Sequence, residues 1–148
     1  MDFTISHFEF GQRPAVTLPS PEFLHLLTEE GIRKLVSDHY DLIMKSTIVS
    51  LFPPAGEPLE KAKLRSSDFF IQVLGGHPYY HENRGKPMLV KRHNVIIITP
   101  EARIVWLECY AEVLSKLVIP VEVLYPFWNY LNIFSSWMVN TEKPNQGK

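Results

Sequence analysis

The stretch that decides the fold runs from Gly75 to Trp106, GGHPYYHENRGKPMLVKRHNVIIITPEARIVW. It opens on a double glycine, which suits a helix C-terminus because glycine enters the left-handed region without steric cost. A polar, irregular loop follows from Gly76 to Lys86, and it carries Pro78, Tyr79 and Tyr80. A loop of that length is more than a connector. Pro87 fits the first turn of a short helix reaching His93. Thr99-Pro100-Glu101 then begins the strongest helix in the chain, predicted to run to about Leu117. Its inner stripe is Trp106, Leu107, Tyr110, Val113, Leu114 and Leu117, with Glu108, Glu112, Ser115 and Lys116 facing out.

Working outward from this stretch, the pattern is helical in both directions. Ser20-Pro21-Glu22 is a helix start, and the helix runs to about Lys45 with a break near Thr28. On its second half Ile32, Leu35, Val36, His39, Tyr40 and Ile43 share one face, so Tyr40 points inward. Ser46 to Phe52 reads as a helical turn stopped by Pro53-Pro54. Another helix opens at Glu57-Pro58 and ends at Gly75-Gly76. Its inward stripe is Leu59, Ala62, Ser66, Phe69, Phe70 and Val73, and the small residues leave room among large rings. Pro120 starts the last helix, which reaches about Asn140 and is apolar almost all round. Such a helix is either central or an interface, and self-association through it is the expected route to a homodimer. Pro126 should bend it or mark a late start. Val95 to Thr99 is β-rich, but one such segment makes no sheet. The fold class is therefore all-α.

At 148 residues the chain suits one domain, with 45% apolar and 21% charged residues enough for an ordinary core. Three regions are expected: a loose leader at 1–20, the helical domain at 21–140, and a disordered tail at 141–148. A net charge of −1 leaves no electrostatic footprint for nucleic acid or acidic lipid. Cys109 is the single cysteine, which excludes an intramolecular disulfide and points to a reducing compartment. The opening MDFTISHFEFG has no secretory pattern, and no segment approaches the roughly 18 apolar residues of a membrane span. A cytoplasmic location is the expectation.

The chemistry rests on histidine. His7 and His25 have no partner nearby in sequence, and His39 reads as a packing residue. His77 and His81 have a metal pair's spacing, but Pro78 and the polar loop disfavour a helix there. His93 gains meaning from its company. A haem iron needs one neutral imidazole nitrogen, with the other ring N–H held by an acceptor such as the Leu89 carbonyl one turn back. Arg65, Lys91 and Arg92 are candidate partners for haem carboxylates. The Tyr40 hydroxyl and the Trp106 indole N–H are donors suited to a polarised diatomic ligand. Spacing alone leaves a helical bundle without cofactor as the alternative.

The nineteen residues from Gly75 to His93 also carry a motif: Gly75, Gly76, Pro78, Tyr80, Arg84, Gly85, Pro87, Leu89, Arg92 and His93. It resembles the approach to the proximal histidine in truncated (two-over-two) haemoglobins, most closely the second group. Trp106, thirteen positions after His93, and the tyrosine of His39-Tyr40-Asp41-Leu42 fit the same family. The similarity covers roughly residues 22–140 and omits the leader. The resemblance implies His93 as proximal ligand, and Tyr40, Trp106, Ala62 and Ser66 on the ligand side. Phe52 would pack on the haem edge, with Phe69, Phe70 and Leu89 against the ring. Arg65, Tyr80 and Arg92 would bind propionates. Ala62 replaces a common distal histidine and leaves an open path. Phe52 stands where tyrosine or histidine is frequent, so one donor is missing, and Ser66 replaces a larger residue, which enlarges the pocket or admits water.

The implied function is reversible binding of dioxygen, nitric oxide and carbon monoxide at one haem b. No C-x-x-C-H is present for covalent attachment. Slow oxygen release suits redox detoxification or sensing better than bulk oxygen transport. An enzyme, either nitric oxide dioxygenase or peroxidase acting on peroxide, is the alternative. It would need a separate reductase, since no flavin or nicotinamide fingerprint is present. A haem-free helical interaction module is the reading from another class.

Overall fold

The computed structural model describes residues 2–142, of which 2–20 form no regular element. Six α-helices follow: α1 Pro21–Ile43, α2 Glu57–Val73, α3 Tyr79–Arg84, α4 Leu89–His93, α5 Pro100–Leu114 and α6 Val121–Met138. A 3₁₀ turn at Val49–Leu51 lies between the first two. The pair α1–α2 stacks on the pair α5–α6 through α1, and α4 leans on α6. The result is an all-α, two-over-two sandwich. No strand occurs among the described residues. The tail expected to be disordered lies outside the described residues except for Thr141 and Glu142.

Local chemistry sets the long helix ends. The Ser20 hydroxyl accepts the Glu22 N–H at 3.2 Å, and Thr99 Oγ1 accepts the Ala102 N–H at 3.0 Å. The break near Thr28 is real: its φ of 66° and ψ of 170° interrupt α1, and its Oγ1 recaps the second half at Gly31 N–H. Gly75, with φ of 89°, and Gly76 close α2 as a Schellman motif. Gly76 N–H donates to the Ile71 carbonyl at 2.8 Å and Gly75 N–H to that of Gln72 at 3.0 Å. A Cβ on Gly76 would sit 2.9 Å from the Ile71 carbonyl oxygen as well as 2.7 Å from a Leu24 methyl, so a side chain there would force the backbone to shift. Stacked Phe23 and Phe127 rings, 4.4 Å apart, join α1 to α6 beneath.

Three expectations change. The loop at 76–86 contains α3, because Pro78 precedes the helix instead of breaking it. Pro87 lies outside α4, whose entry is set by Met88 in the left-handed region at φ 43°. The leader is not loose but is laid along α6. Phe3 packs edge-on against Trp128, whose indole N–H donates to the Thr4 carbonyl at 3.1 Å. The Trp137 indole N–H likewise donates to the Pro14 carbonyl at 2.9 Å. This cover accounts for the side of α6 that meets the leader, while Val121 and Tyr125 of the same helix stay exposed. Pro126 sits inside α6 without ending it.

The staple between leader and helices is Arg103, buried at 7% exposure. Its Nε donates to Ser135 Oγ at 2.9 Å, Nη1 to the Ser6 carbonyl at 2.9 Å, and Nη2 to the carbonyl and Oδ1 of Asn132. Asn132 completes the junction by binding Ser6 through both side-chain ends at 3.0 Å. Arg103→Met should keep the volume but strand these acceptors. It is expected to lower stability by about 2–3 kcal/mol in urea unfolding and to speed hydrogen exchange at Ser6 N–H.

Candidate haem site

A cavity of about 640 Å³ opens between α1, α2, α4, α5 and α6. The twelve residues that the resemblance implies all line it, whereas Lys91, the other candidate cation, is exposed and does not. Tyr40 comes from α1, Phe52 from the segment after the 3₁₀ turn, and Ala62, Arg65, Ser66, Phe69 and Phe70 from α2. Tyr80 comes from α3, Leu89, Arg92 and His93 from α4, and Trp106 from α5. Lining residues that sequence reasoning passed over include Arg103, Phe134, Ser135 and Met138. The apolar ones belong to helices already recognised, but no local signal said which face would meet the cavity.

His93 Nδ1 lies 2.7 Å from the Leu89 carbonyl. A carbonyl only accepts, so Nδ1 carries the hydrogen and Nε2 keeps its lone pair. Two clamps place this short helix. Arg92 Nε donates to the Pro87 carbonyl at 2.7 Å, and Nη2 to those of Arg84 and Lys86 at 2.9 and 3.0 Å. Its guanidinium also lies 5.5 Å from the Tyr80 ring centre, with Arg84 at 5.3 Å. On the far side Asn140 accepts the Ile98 N–H through Oδ1 at 2.9 Å and donates through Nδ2 to the Ile96 carbonyl at 2.6 Å. Asn140 was not legible as a site residue, since it stands 47 positions from His93, whose carbonyl its Nδ2 also approaches at 3.4 Å.

Across the cavity, burial pushes the Tyr40 hydroxyl's pKa up, with a hydrogen bond from Ser66 and the Arg65 charge pulling the other way. Tyr40 is thus a protonated donor at neutral pH. Ser66 lines the cavity beside it. Phe52 packs edge-on to the Tyr40 ring at 5.7 Å. Of the three indoles, those of Trp128 and Trp137 are satisfied by leader carbonyls, and no acceptor among the described residues takes the Trp106 N–H. Arg65 is exposed at the rim. Burial also lowers the Arg103 pKa to about 10, which leaves it cationic.

These residues fit a haem. The volume is within the roughly 300–1,000 Å³ of small-molecule sites, the walls are largely aromatic and aliphatic, an imidazole nitrogen is free, and arginines stand at the edge. The remaining histidines lie elsewhere: His77 Nε2 contacts Glu82 Oε1 at 2.8 Å, His81 is in α3, and His7 and His25 are exposed.

Behind Tyr40 lies His39, which is 1% exposed and stacked on Tyr110 at 3.5 Å. Desolvation lowers its pKa from 6.5 to about 3, outweighing the hydrogen bond to the Trp106 carbonyl that raises it. The folded protein therefore resists protonation that the unfolded chain accepts below about pH 6.5. This contribution to stability is complete above pH 6.5 and falls as the pH drops toward 3. Tyr40, Trp106 and Tyr110 surround the ring, and none carries a compensating charge at these pH values. Between pH 6 and 4, wild-type unfolding free energy should fall faster than that of His39→Phe, by about 1 kcal/mol per pH unit. Equal slopes in urea titrations would show that His39 titrates normally.

Known proteins share this fold and part of the sequence. A family model for bacterial-like globins matches residues 25–140. The group 2 truncated hemoglobin YjbI of Bacillus subtilis is 29% identical over 113 residues, covering 76% of this chain and 83% of that protein. The crystal structure of phosphate-bound Hell's gate globin IV is 36% identical with a TM-score of 0.86, covering 95% of this chain and 88% of that one. The group II truncated hemoglobin of Bacillus anthracis is 27% identical with a TM-score of 0.75, covering 82% of this chain and 98% of that one. With the match spanning the whole helical domain, the chain belongs to the bacterial-like globin family as a group II truncated globin, a haem protein of small-ligand binding.

Proposed function

We propose that this globin holds one non-covalent haem b through His93 Nε2 and reversibly binds dioxygen, nitric oxide and carbon monoxide. One observation carries the reading. One cavity contains an imidazole whose Nδ1–H is already committed to Leu89 and an indole N–H that has no acceptor among the described residues. Haem supplies the metal centre at which a diatomic ligand binds. The chain supplies orientation and polarity. The Leu89 bond fixes the imidazole plane and tautomer and makes Nε2 a better donor. Leu89, Phe52, Phe69 and Phe70 would pack the ring, and Arg65 and Tyr80 would meet its carboxylates. Arg92 is largely engaged with carbonyls, so its main task is to hold α4, with Nη1 left for a carboxylate.

On the ligand side, Tyr40 and Trp106 would each donate a hydrogen bond to a polarised diatomic molecule. Ala62, 2% exposed, adds no donor and no bulk on its part of the wall. Two donors in an apolar cavity favour slow release, which suits redox detoxification or sensing over bulk oxygen transport. Turnover as a nitric oxide dioxygenase or on peroxide would require electrons from a separate reductase. A cytoplasmic setting agrees with a single half-buried cysteine, and no helix among the described residues is long and apolar enough to cross a membrane.

Absorption spectra test the proximal assignment. The purified protein should show a Soret band that shifts on dithionite reduction and again with carbon monoxide. His93→Ala should lose or rewire that band. A wild type that takes up no haemin would end the haem reading and leave the helical interaction module. Tyr40→Phe and Trp106→Phe should each speed dioxygen release about 5- to 10-fold, the loss of one hydrogen bond of about 1 kcal/mol. Unchanged rates in both variants would remove the donor pair from the mechanism.

A further inference from the structure

His39 is a buried imidazole that the haem site does not touch: it is absent from the cavity wall, yet it borders both residues assigned as donors. Its Nε2 lies 3.0 Å from the Trp106 carbonyl, across from α1 to α5. Since the carbonyl accepts, Nε2 carries the hydrogen, and Nδ1 is left buried with no partner. The ring stacks on Tyr110 at an interplanar angle of 14° and meets Trp106 edge-on at 5.3 Å.

Simple packing does not explain this choice of side chain. A phenylalanine would fill the same slot against Tyr110 without an unpaired buried nitrogen. Nor does the Trp106 carbonyl need the bond, because it lies inside α5, where the Tyr110 N–H is its regular helical partner. What the bond adds is a fixed distance between two helices at one point. That point is the backbone of Trp106, and the fixing residue is the sequence neighbour of Tyr40.

We infer that His39 is a positioning residue, whose cross-helix hydrogen bond to the Trp106 carbonyl holds the Trp106 indole in register with Tyr40. Its effect on ligand release rests on the donor roles proposed above, whereas its effect on the indole does not. The imidazole acts as a rigid strut: the Tyr110 stack sets its plane, and the bond from Nε2 sets the height of α5 against α1. Removing the bond frees the Trp106 end without emptying the slot.

Two readouts test this. In the haem-free protein, the three indole N–H signals in a nitrogen–proton correlation spectrum are assigned with Trp106→Phe as the reference. His39→Phe should shift or broaden the Trp106 signal while leaving those of Trp128 and Trp137 in place. His39→Gln, which offers an amide donor at similar reach, should return it toward the wild-type position. In the haem-loaded protein, His39→Phe should speed dioxygen release 3- to 10-fold. The double variant with Trp106→Phe should be no faster than Trp106→Phe alone. Should the phenylalanine variant not fold, His39→Leu provides the same comparison. An unmoved Trp106 signal in a folded His39→Phe protein would overturn the inference and reduce His39 to packing. A moved signal with unchanged release in both His39→Phe and Trp106→Phe would uphold the positioning and overturn the donor role of Trp106.

Discussion

The structure depends on keeping open a cavity of about 640 Å³ that its own side chains do not fill. Walls around such a space have no other wall of the chain packed directly against them, so contacts between side chains alone do not set their spacing. The chain answers with polar struts behind the apolar lining. Arg92 binds three carbonyls before α4, Asn140 grips the segment after it, and Arg103 joins α5, α6 and the leader. Each strut spends a long polar side chain on backbone oxygens, which gives direction that aliphatic contacts lack.

The same logic separates two kinds of buried charge. Asp68, on α2, is held between Arg33 at 3.0 Å and Arg84 at 2.8 Å, a network that ties α1, α2 and α3. Arg103 has no such acid. Its partners are carbonyls, a hydroxyl and an amide oxygen, and although burial brings its pKa down to about 10 it stays cationic at neutral pH. A guanidinium suits this task because its planar fork serves several acceptors at once, where an ammonium would serve one point. The leader thereby braces the wall from behind without lining the cavity: Ser6 and Ser135 meet at Arg103, and Ser135 faces the cavity.

His93 and Trp106, in the roles proposed for them, differ in how their ring nitrogens are set. The imidazole is prepared locally, by a carbonyl four residues earlier on its own helix. The indole N–H of Trp106 has no acceptor among the described residues, while the two other tryptophans spend theirs on the leader.

By itself the sequence determined the helices and most of the cavity's residues. Caps at Ser20 and Thr99, the Gly75-Gly76 stop and the apolar stripes are local signals, because a helix end is satisfied by atoms within a few residues. The spaced motif from Gly75 to His93 and the two distant aromatics pointed to one site, and the backbone carries all twelve residues there. Only the tertiary structure decided what Arg103, Asn140 and His39 do, and that the leader lies on α6. Their partners are 29 to 97 positions away, so no window of sequence holds both ends of the bond. The helix at Tyr79–Arg84 escaped for a related reason. Six polar residues have little helical stability of their own, and α3 forms because Tyr80 is buried against Phe69 and beneath two arginines that only the fold brings there.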